Sequence, residues 1–526
     1  MTDDRKYGAI IIGGGHNGLV CAGFLARAGQ SVLVVEAADR LGGAARNAEI
    51  APGYTAPSCA HILHLLHPRV RAKLKLRRHG LKLAARRMPT VALDPDGNHL
   101  TLGGKRITGS VPDEDARSWR RLRKRLLRMA GALHPFLGRT PPRLGGESWQ
   151  DRLTLARLGL SLRMLGKTEM RDFLRIVNMN AADLLDDELS DDRLKGALAF
   201  DAVLGTNFGP RSPGSVLTWL YRLAGEAKGG RRGLAIPEGG MGAVTEALAA
   251  SALAFGADIR TGTPVRRIVV EGDRATAVEL ESGTVLRTRA VISSADPKTT
   301  FLDLVGPEHL DTGFLRRVRN FRTNGLAAKL NLALDELPEF TGLDRAALGG
   351  RLVIAPDIGY VERAFDHSKY GEYSAEPAIE ITIPTVHDAS LAPGGGHVLS
   401  AVVQYAPRDL KGGWDAHRDA FADHAVAAIA RYAPGLAERI VERQVLTPAD
   451  IEREFRITGG HWHHGDLAID QMLMLRPVPG WAQYEAPVAG LYLCGAGAHP
   501  GGGVMGAAGM NAAQRILATR KGEDAA

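Results

Sequence analysis

Residues 7–36 carry the most restrictive pattern in the chain. An apolar run, Ala9-Ile10-Ile11-Ile12, leads into Gly13-Gly14-Gly15-His16-Asn17-Gly18, then an apolar helical stretch to Ala28, a terminating Gly29, and a second apolar run from Ser31 to Val35 closed by Glu36. This order predicts strand, tight turn, helix and strand, a βαβ unit with parallel strands. Gly13, Gly15 and Gly18 form GxGxxG. The first glycine permits the sharp turn, the second lets the backbone approach a pyrophosphate, and the third lets the helix pack closely on the strand, with the phosphates at the positive helix N-terminus. Glu36 stands where an acid accepts hydrogen bonds from a ribose diol. A chain with 63 glycines in 526 residues makes glycine turns by chance, so the triplet alone decides little. Here the strands, the helix, the glycine stop and the acid agree, and they predict a dinucleotide site.

Length and composition bound the rest. At 45% hydrophobic and 24% charged residues, the chain reads as a globular protein of two or three domains. Its glycines follow no three-residue period. Cys21, Cys59 and Cys494 lie far apart with no CxxC, which excludes a disulfide framework, a zinc knuckle and a dithiol redox pair. No stretch reaches 18 uncharged apolar residues, and the start, Met-Thr-Asp-Asp, leaves no room for a signal or transit peptide, so a cytoplasmic location is expected.

Directly after the second predicted strand comes Arg40-Leu41-Gly42-Gly43-Ala44-Ala45-Arg46. This string resembles the FAD signature of the glutathione-reductase-like flavoproteins, in particular the amine oxidase and carotenoid desaturase branch. Near the far end, Gly490–Cys494 reads as a buried strand followed by a second glycine turn, Gly495 to Gly506, and an alanine-rich helix. Position 500 is Pro, so this is not a second GxGxxG, and a separate NAD(P)H domain is not expected. In the middle, Ile236-Pro-Glu-Gly-Gly-Met-Gly242 precedes a helix, then strands near 265–270, 277–280 and 291–293. The expected organisation is an FAD-binding domain in three pieces, 1–69, 231–300 and 456–526, with a substrate domain inserted as 70–230 and 301–455.

The strings GGGHNGLVCAGFLARAG, EAADRLGGAAR, PEGGMG, YVERAFDHSKYG, EPAIEITIPTVHDASLAPGGGHVLSAVVQYAP and LYLCGAGAHPGGGVMGAAGMNAA resemble the phytoene dehydrogenase-related FAD-dependent oxidoreductases over nearly the whole chain. The resemblance implies an α/β fold: a discontinuous glutathione-reductase-like Rossmann FAD-binding domain with an inserted α+β substrate domain, amine oxidase- or carotenoid desaturase-like. It implies that Gly13, Gly15 and Gly18 hold the FAD pyrophosphate and Glu36 the adenosine ribose. Arg40, Gly42, Gly43 and Ala44 would run along the phosphates and ribityl chain, and Val265 would meet the adenine. Gly240 and Met241 would lie near the flavin, and Gly497, Gly502, Gly503 and Val504 at its ribityl and ring end. In the stretch His461-Trp462-His463-His464-Gly465-Asp466 only His464 matches the family's histidine before the glycine.

A flavin takes a hydride from an allylic or unactivated C–H without obligatory help from a protein base, and the residues show no catalytic constellation. His61, His64, His67, His464 and His499 are candidates for proton handling. The first three, at three-residue spacing on an apolar segment, are expected to be packing or surface groups, whereas His499, and after it His464, are the better candidates. Metal binding by the HxHH stretch is not expected, because neighbouring histidines on a strand point to opposite faces.

Two acid-free stretches concentrate the positive charge: Arg69 to Arg87 holds nine Lys or Arg and Arg117 to Arg128 holds seven, while the rest of the chain is net acidic. Trp119, Leu122, Leu126, Met129 and Leu133 fall at helical spacing among the second set. Segments 69–87 and 117–133 are therefore candidates for peripheral membrane contact, the alternative being a solvated helix whose stripe packs inward. Nucleic acid binding is not expected. The functional expectation is an FAD-dependent oxidoreductase that dehydrogenates, isomerises or saturates a hydrophobic polyene or lipid-like substrate, with oxygen, a quinone or a redox protein as electron acceptor. The rival is a flavin-bearing regulatory or interaction protein in which FAD is structural.

Overall fold

The computed structural model describes residues 7–523 apart from 105, 144, 146–147 and 228–232. The sequence-expected boundary at 230/231 and the first six residues lie outside the described set.

Among the described residues, strand Tyr7–Ile12, helix His16–Arg27 and strand Val32–Val35 form the expected βαβ unit. Both strands are almost entirely buried, as apolar runs in a parallel sheet covered on two faces must be. The sheet continues with short pieces from distant parts of the chain. Asp258–Arg260 lies beside Val32–Val35, Val285–Ser293 beside Tyr7–Ile12, and Leu491–Leu493 beside Val285–Ser293, all parallel. The first half of Val285–Ser293 pairs antiparallel with Arg274–Leu280, which pairs with Val265–Glu271. Helix Ala507–Glu523 packs on the same side as His16–Arg27 and Gly242–Ala254.

A second, largely antiparallel sheet runs in the order Ile440–Leu446, Ala327–Leu334, His397–Gln404, Ala378–Thr382, Arg351–Ile354, Thr90–Ala92, Leu100–Gly103 and Arg106–Thr108. Its central strands are buried on both faces, because helices cover one side and the hairpin Asn47–Ala51/Tyr54–Pro57 packs against the other. Two of these strands carry a lone charge in apolar surroundings, Lys329 and Glu380, and both are fully buried.

Of the two expectations for 117–133, the structure shows the inward-packing stripe. Helix Asp113–Leu137 does present Trp119, Leu122, Leu126 and Met129 on one face, but that face is buried in the core with Phe200, Trp219 and Leu220. Burial of the stripe removes the apolar surface a bilayer would need. Outward apolar exposure occurs instead on the next helix, Trp149–Arg163, where Trp149 and Leu160 are more than half exposed, at 73% and 58%. No helix among the described residues is long and apolar enough to cross a membrane.

Candidate active site

The register of the parallel sheet sets the site. Ile12 is opposite both Val35 and Ser293, and Ser293 is opposite Leu493, so the loops that start at Gly13, Glu36, Ser294 and Cys494 open at one edge. Ligands of open α/β sheets bind at this carboxyl edge. A cleft of about 410 Å3 lies there, and its walls include Gly13, Gly15, Glu36, Arg40, Gly42, Gly43, Ala44, Val265 and His464. These members of the sequence-expected set are thus brought together.

Local chemistry in the cleft suits a dinucleotide. Helix His16–Arg27 begins at Gly15 with no side-chain cap and no acid in its first turn, leaving its first N–H groups and positive end available to an anion. A Cβ at Gly15 would meet no atom within 4 Å and would fill the cleft where a phosphate must approach. Glu36 accepts the Gly14 N–H at 2.6 Å and the Ala38 N–H at 2.9 Å, one on each carboxylate oxygen, so a lone pair on each remains for a ribose hydroxyl. Gly42 holds φ +113°, and its N–H donates to the Gly14 carbonyl at 3.0 Å, which joins the two glycine loops. His16 Nε2 and Asn17 Oδ1, both on the cleft wall, are buried with no hydrogen-bond partner among the described residues. Such orphans call for a ligand or water. Cradle and orphans together fit FAD.

Gly18 serves the fold rather than the wall. A Cβ there would overlap the Gly13 carbonyl oxygen. Gly18→Ala is therefore expected to cost about 1–3 kcal/mol by overpacking, read as a lowered urea midpoint at unchanged slope; an unchanged midpoint refutes the close-packing role.

A second cavity, of about 120 Å3, shares His16, Ala44 and Trp462 with the cleft and adds Ala45, Cys59, Ile62, Leu204, Val402 and Val504. Its polar side is built on Glu380. This carboxylate receives Arg351, Arg222 at 3.1 Å and His61 Nε2 at 2.8 Å, and Arg351 also meets Asp201 at 2.7 Å. Burial alone would raise the Glu380 carboxyl, but Arg351, Arg222 and His61 outweigh it and hold it well below the usual carboxylate range. Burial, helped by the Lys329 charge, lowers His61 to about 4, so its ring is neutral at pH 7. A neutral ring facing a carboxylate must carry its proton on Nε2, which leaves Nδ1 to accept from Thr382 at 3.4 Å. Burial also lowers Lys329 to about 7, against the opposing pull of Cys59 and Glu380.

The segment bearing His463 and His464 is held by a buried cation. Arg476 is fully buried and donates to the carbonyls of His463, Gly465, Asp466, Gln471 and Ala496 at 2.7–3.1 Å. Burial lowers it to about 10, so it stays charged and ties this turn to the loop after Leu491–Leu493.

Several sequence expectations change. Gly240 and Met241 do not line the cleft: Gly240 packs against the Asn47 side chain, and Met241 is in the core with Leu19 and Val504. Their turn acts through Asn47, whose amide donates to the Gly239 carbonyl at 2.7 Å and accepts the Gly242 N–H at 2.9 Å. Gly497 packs against Pro297 and Gly502 against His463, while Gly503 and Val504 reach the second cavity. His499 is in the expected turn, but its ring points into the core and bonds the Phe136 carbonyl at 3.0 Å. His461 to His464 form a turn, not a strand, with the His464 N–H donating to the His461 carbonyl; among the described residues no group of three or more His, Cys, Asp or Glu is arranged to hold a metal. Of the three histidines expected to be packing or surface groups, His61 and His67 are buried packing groups and His64 is half-buried. His61 and His64 line the second cavity, and His67 accepts the Arg69 N–H at the start of helix Pro68–Lys73.

Sequence reasoning missed His16, Lys329 and Glu380. The signal existed for the last two, since each is a single charge in an otherwise apolar strand, a pattern tolerated only where the charge is paired or used.

Comparison with known proteins places this geometry. The family model described as flavin containing amine oxidoreductase matches residues 18–517. Pyridine nucleotide-disulfide oxidoreductase domain-containing protein 2 of Rattus norvegicus is 36% identical, covering 97% of this chain and 93% of its own. The lycopene-forming phytoene desaturase of Pantoea ananas is 25% identical over 61% of this chain and 62% of its own. Among solved structures, wild-type putrescine oxidase bound to putrescine superposes with a TM-score of 0.62 at 17% identity, covering 99% of this chain and all of that one, which shows a shared fold.

Proposed function

Because the chain belongs to the flavin-containing amine oxidoreductase family, with FAD as its cofactor, we propose that it dehydrogenates an apolar, unsaturated or lipid-like substrate, the phytoene desaturase relative being named for such a reaction. Glu36 would hold the adenosine ribose, Gly13 and Gly15 with the helix N-terminus the pyrophosphate, and the end of the cleft at His16, Ala44 and Trp462, where it borders the second cavity, the ring end. Bound FAD supplies the ring that accepts hydride from a C–H bond.

The wall of the second cavity carries this reading. Ala45, Ile62, Leu204, Val402 and Val504 offer an apolar surface, and its carboxylate, Glu380, is engaged by two arginines and a histidine. Among the described residues that line the cavity, none has a free carboxylate to receive an ammonium. An apolar chain therefore fits here better than a cationic amine, whose desolvation would go uncompensated. The cavity's apolar walls would exclude water from the reacting carbon. In anaerobic mixing of the holoprotein with a panel of terpenes, polyprenyl lipids and primary amines, bleaching of the flavin band by an apolar compound is expected. Bleaching by amines alone, or by nothing in the panel, overturns the proposal.

A further inference from the structure

The two basic segments carry similar charge but resolve it differently. In helix Asp113–Leu137, Arg123 pairs with Glu226, Arg125 with Asp172 and Glu188, and Arg128 with Glu169, whereas Arg117, Arg120, Arg121 and Lys124 are exposed without an ion pair among the described residues and line no cleft with one another. In segment 69–87, Arg71, Arg77, Arg78, Arg86 and Arg87 are all exposed, and none forms an ion pair with an acid among the described residues. Lys82 alone reaches one, Glu238, at 3.6 Å.

These five arginines are not scattered over the surface. With Lys75 they line one cleft of about 870 Å3, which also includes the apolar side chains of Leu63, Leu66, Leu81, Leu83 and Ala235. Leu63, Leu81 and Ala235 are buried and the cations exposed, so the cleft has an apolar floor and a rim of cations in which the single acid, Glu238, is met by Lys82. Its backbone is firm at this point: Leu63 and Ala235 exchange two hydrogen bonds, at 2.9 and 3.0 Å. His64 belongs to the walls of both this cleft and the 120 Å3 cavity, and its Nδ1 has no hydrogen-bond partner among the described residues. His64 is thus the residue at which the walls of the outer cleft and the inner cavity meet.

We propose that the outer cleft is the head-group site of an anionic amphiphile, whose carboxylate or phosphate is held by the arginine rim while its hydrocarbon chain crosses the apolar floor and passes His64 into the inner cavity. The inference rests on the apolar-substrate reading above and names the class: a long-chain acid or phosphate ester in place of a neutral hydrocarbon. Unpaired guanidinium groups gathered on one cleft repel one another, and an oxyanion relieves that repulsion through bidentate, charge-assisted hydrogen bonds. A neutral hydrocarbon would use the floor and leave the rim uncompensated. The small inner cavity admits one end of a chain, and the larger cleft on the other side of His64 accommodates the rest.

The test measures binding to the holoprotein by equilibrium dialysis, with dodecyl phosphate and 1-dodecanol as probes below their aggregation limits. The phosphate is expected to bind at least ten-fold tighter than the alcohol, with the ratio falling as salt is raised. In the double variant Arg78→Glu/Arg86→Glu, checked for unchanged melting, the ratio should drop to about one. His64→Trp should leave phosphate affinity within two-fold and abolish the shift the bound chain causes in the flavin spectrum. A wild-type ratio near one, or a ratio that survives charge reversal, overturns the proposal. Vesicles of phosphatidylglycerol and of phosphatidylcholine separate the sources of the anion: binding to the anionic vesicles without binding of soluble dodecyl phosphate would assign the rim to a membrane surface and overturn the head-group site. Dialysis needs no turnover, so the two readings fail separately. A protein that prefers the phosphate while no apolar compound reduces its flavin keeps this site and loses the oxidoreductase reading, whereas reduction by neutral terpenes with no preference for the anion does the reverse.

Discussion

Glu380→Leu is expected to destabilise the holoprotein by about 3–5 kcal/mol, because it strands buried positive charge. Arg351 is 1% exposed and would keep only Asp201 as a counter-ion, and Arg222 would lose its 3.1 Å partner. The neutral His61 ring would lose the acceptor that fixes its Nε2 proton. Urea unfolding of the single variant and of Glu380→Leu/Arg351→Met checks the cause. The double variant should recover much of the loss, since a buried ion pair replaced by apolar groups is often neutral, whereas one broken on a single side is not. A loss below about 1 kcal/mol in the single variant would show that Asp201 balances Arg351 unaided.

Acid should begin to destabilise this protein above the pH at which carboxylates titrate. Burial lowers His61, helped by Lys329, and His499 to about 4, against roughly 6.5 in an unfolded chain. Below pH 6.5 the unfolded state takes up protons that the folded state refuses, so stability is lost as pH falls from about 6.5 towards 4. At about 1.4 kcal/mol per unit for each group, the two rings together remove on the order of 5 kcal/mol by pH 4.5. His16, His64 and His464 are also lowered, but being partly exposed they contribute less. Glu380 works in the same direction lower down: its folded pKa is depressed, so its stabilisation is present above the ordinary carboxylate range and disappears as pH falls through the folded value. Since whole domains are stable by about 5–15 kcal/mol, the histidine contribution is a large part of the total. Urea midpoints from pH 7.5 to 4.5 should fall steeply below 6.5, and His499→Gln should reduce the slope by about one proton. A flat profile down to pH 4.5 would refute the assignment.

What the sequence made legible was local. The turn Gly13–Gly18, the acid at 36 and the flanking strands lie within thirty residues, and their geometry follows from glycine conformations and the reach of a βαβ unit. Where a side chain points is decided from far away. His61 meets Glu380 across 319 positions, and the His499 ring is turned inward by a carbonyl 363 positions distant. Neither relation leaves a periodic trace. The helix at 117–133 makes the same point from the other side: its spacing announces an apolar stripe, but whether lipid or protein covers that stripe depends on helices elsewhere in the chain. Lys329 and Glu380 were visible as anomalies, each an isolated charge in an apolar run, without any indication of which groups would surround them.

The patchwork sheet also governs the order of events during synthesis. Strand Tyr7–Ile12 leaves the ribosome well before its neighbour Val285–Ser293, some 280 residues behind it, and Leu491–Leu493, which pairs with that neighbour, follows about 200 residues later still. In those intervals an apolar strand has one open side, the kind of edge that recruits chaperones or aggregates. Because the loop after Leu491–Leu493 contributes Ala496 to the cleft, chains stalled or truncated before that point should neither retain the cofactor nor acquire its colour. Yellow colour in a nascent-chain experiment would then mark the moment at which the last strand docks.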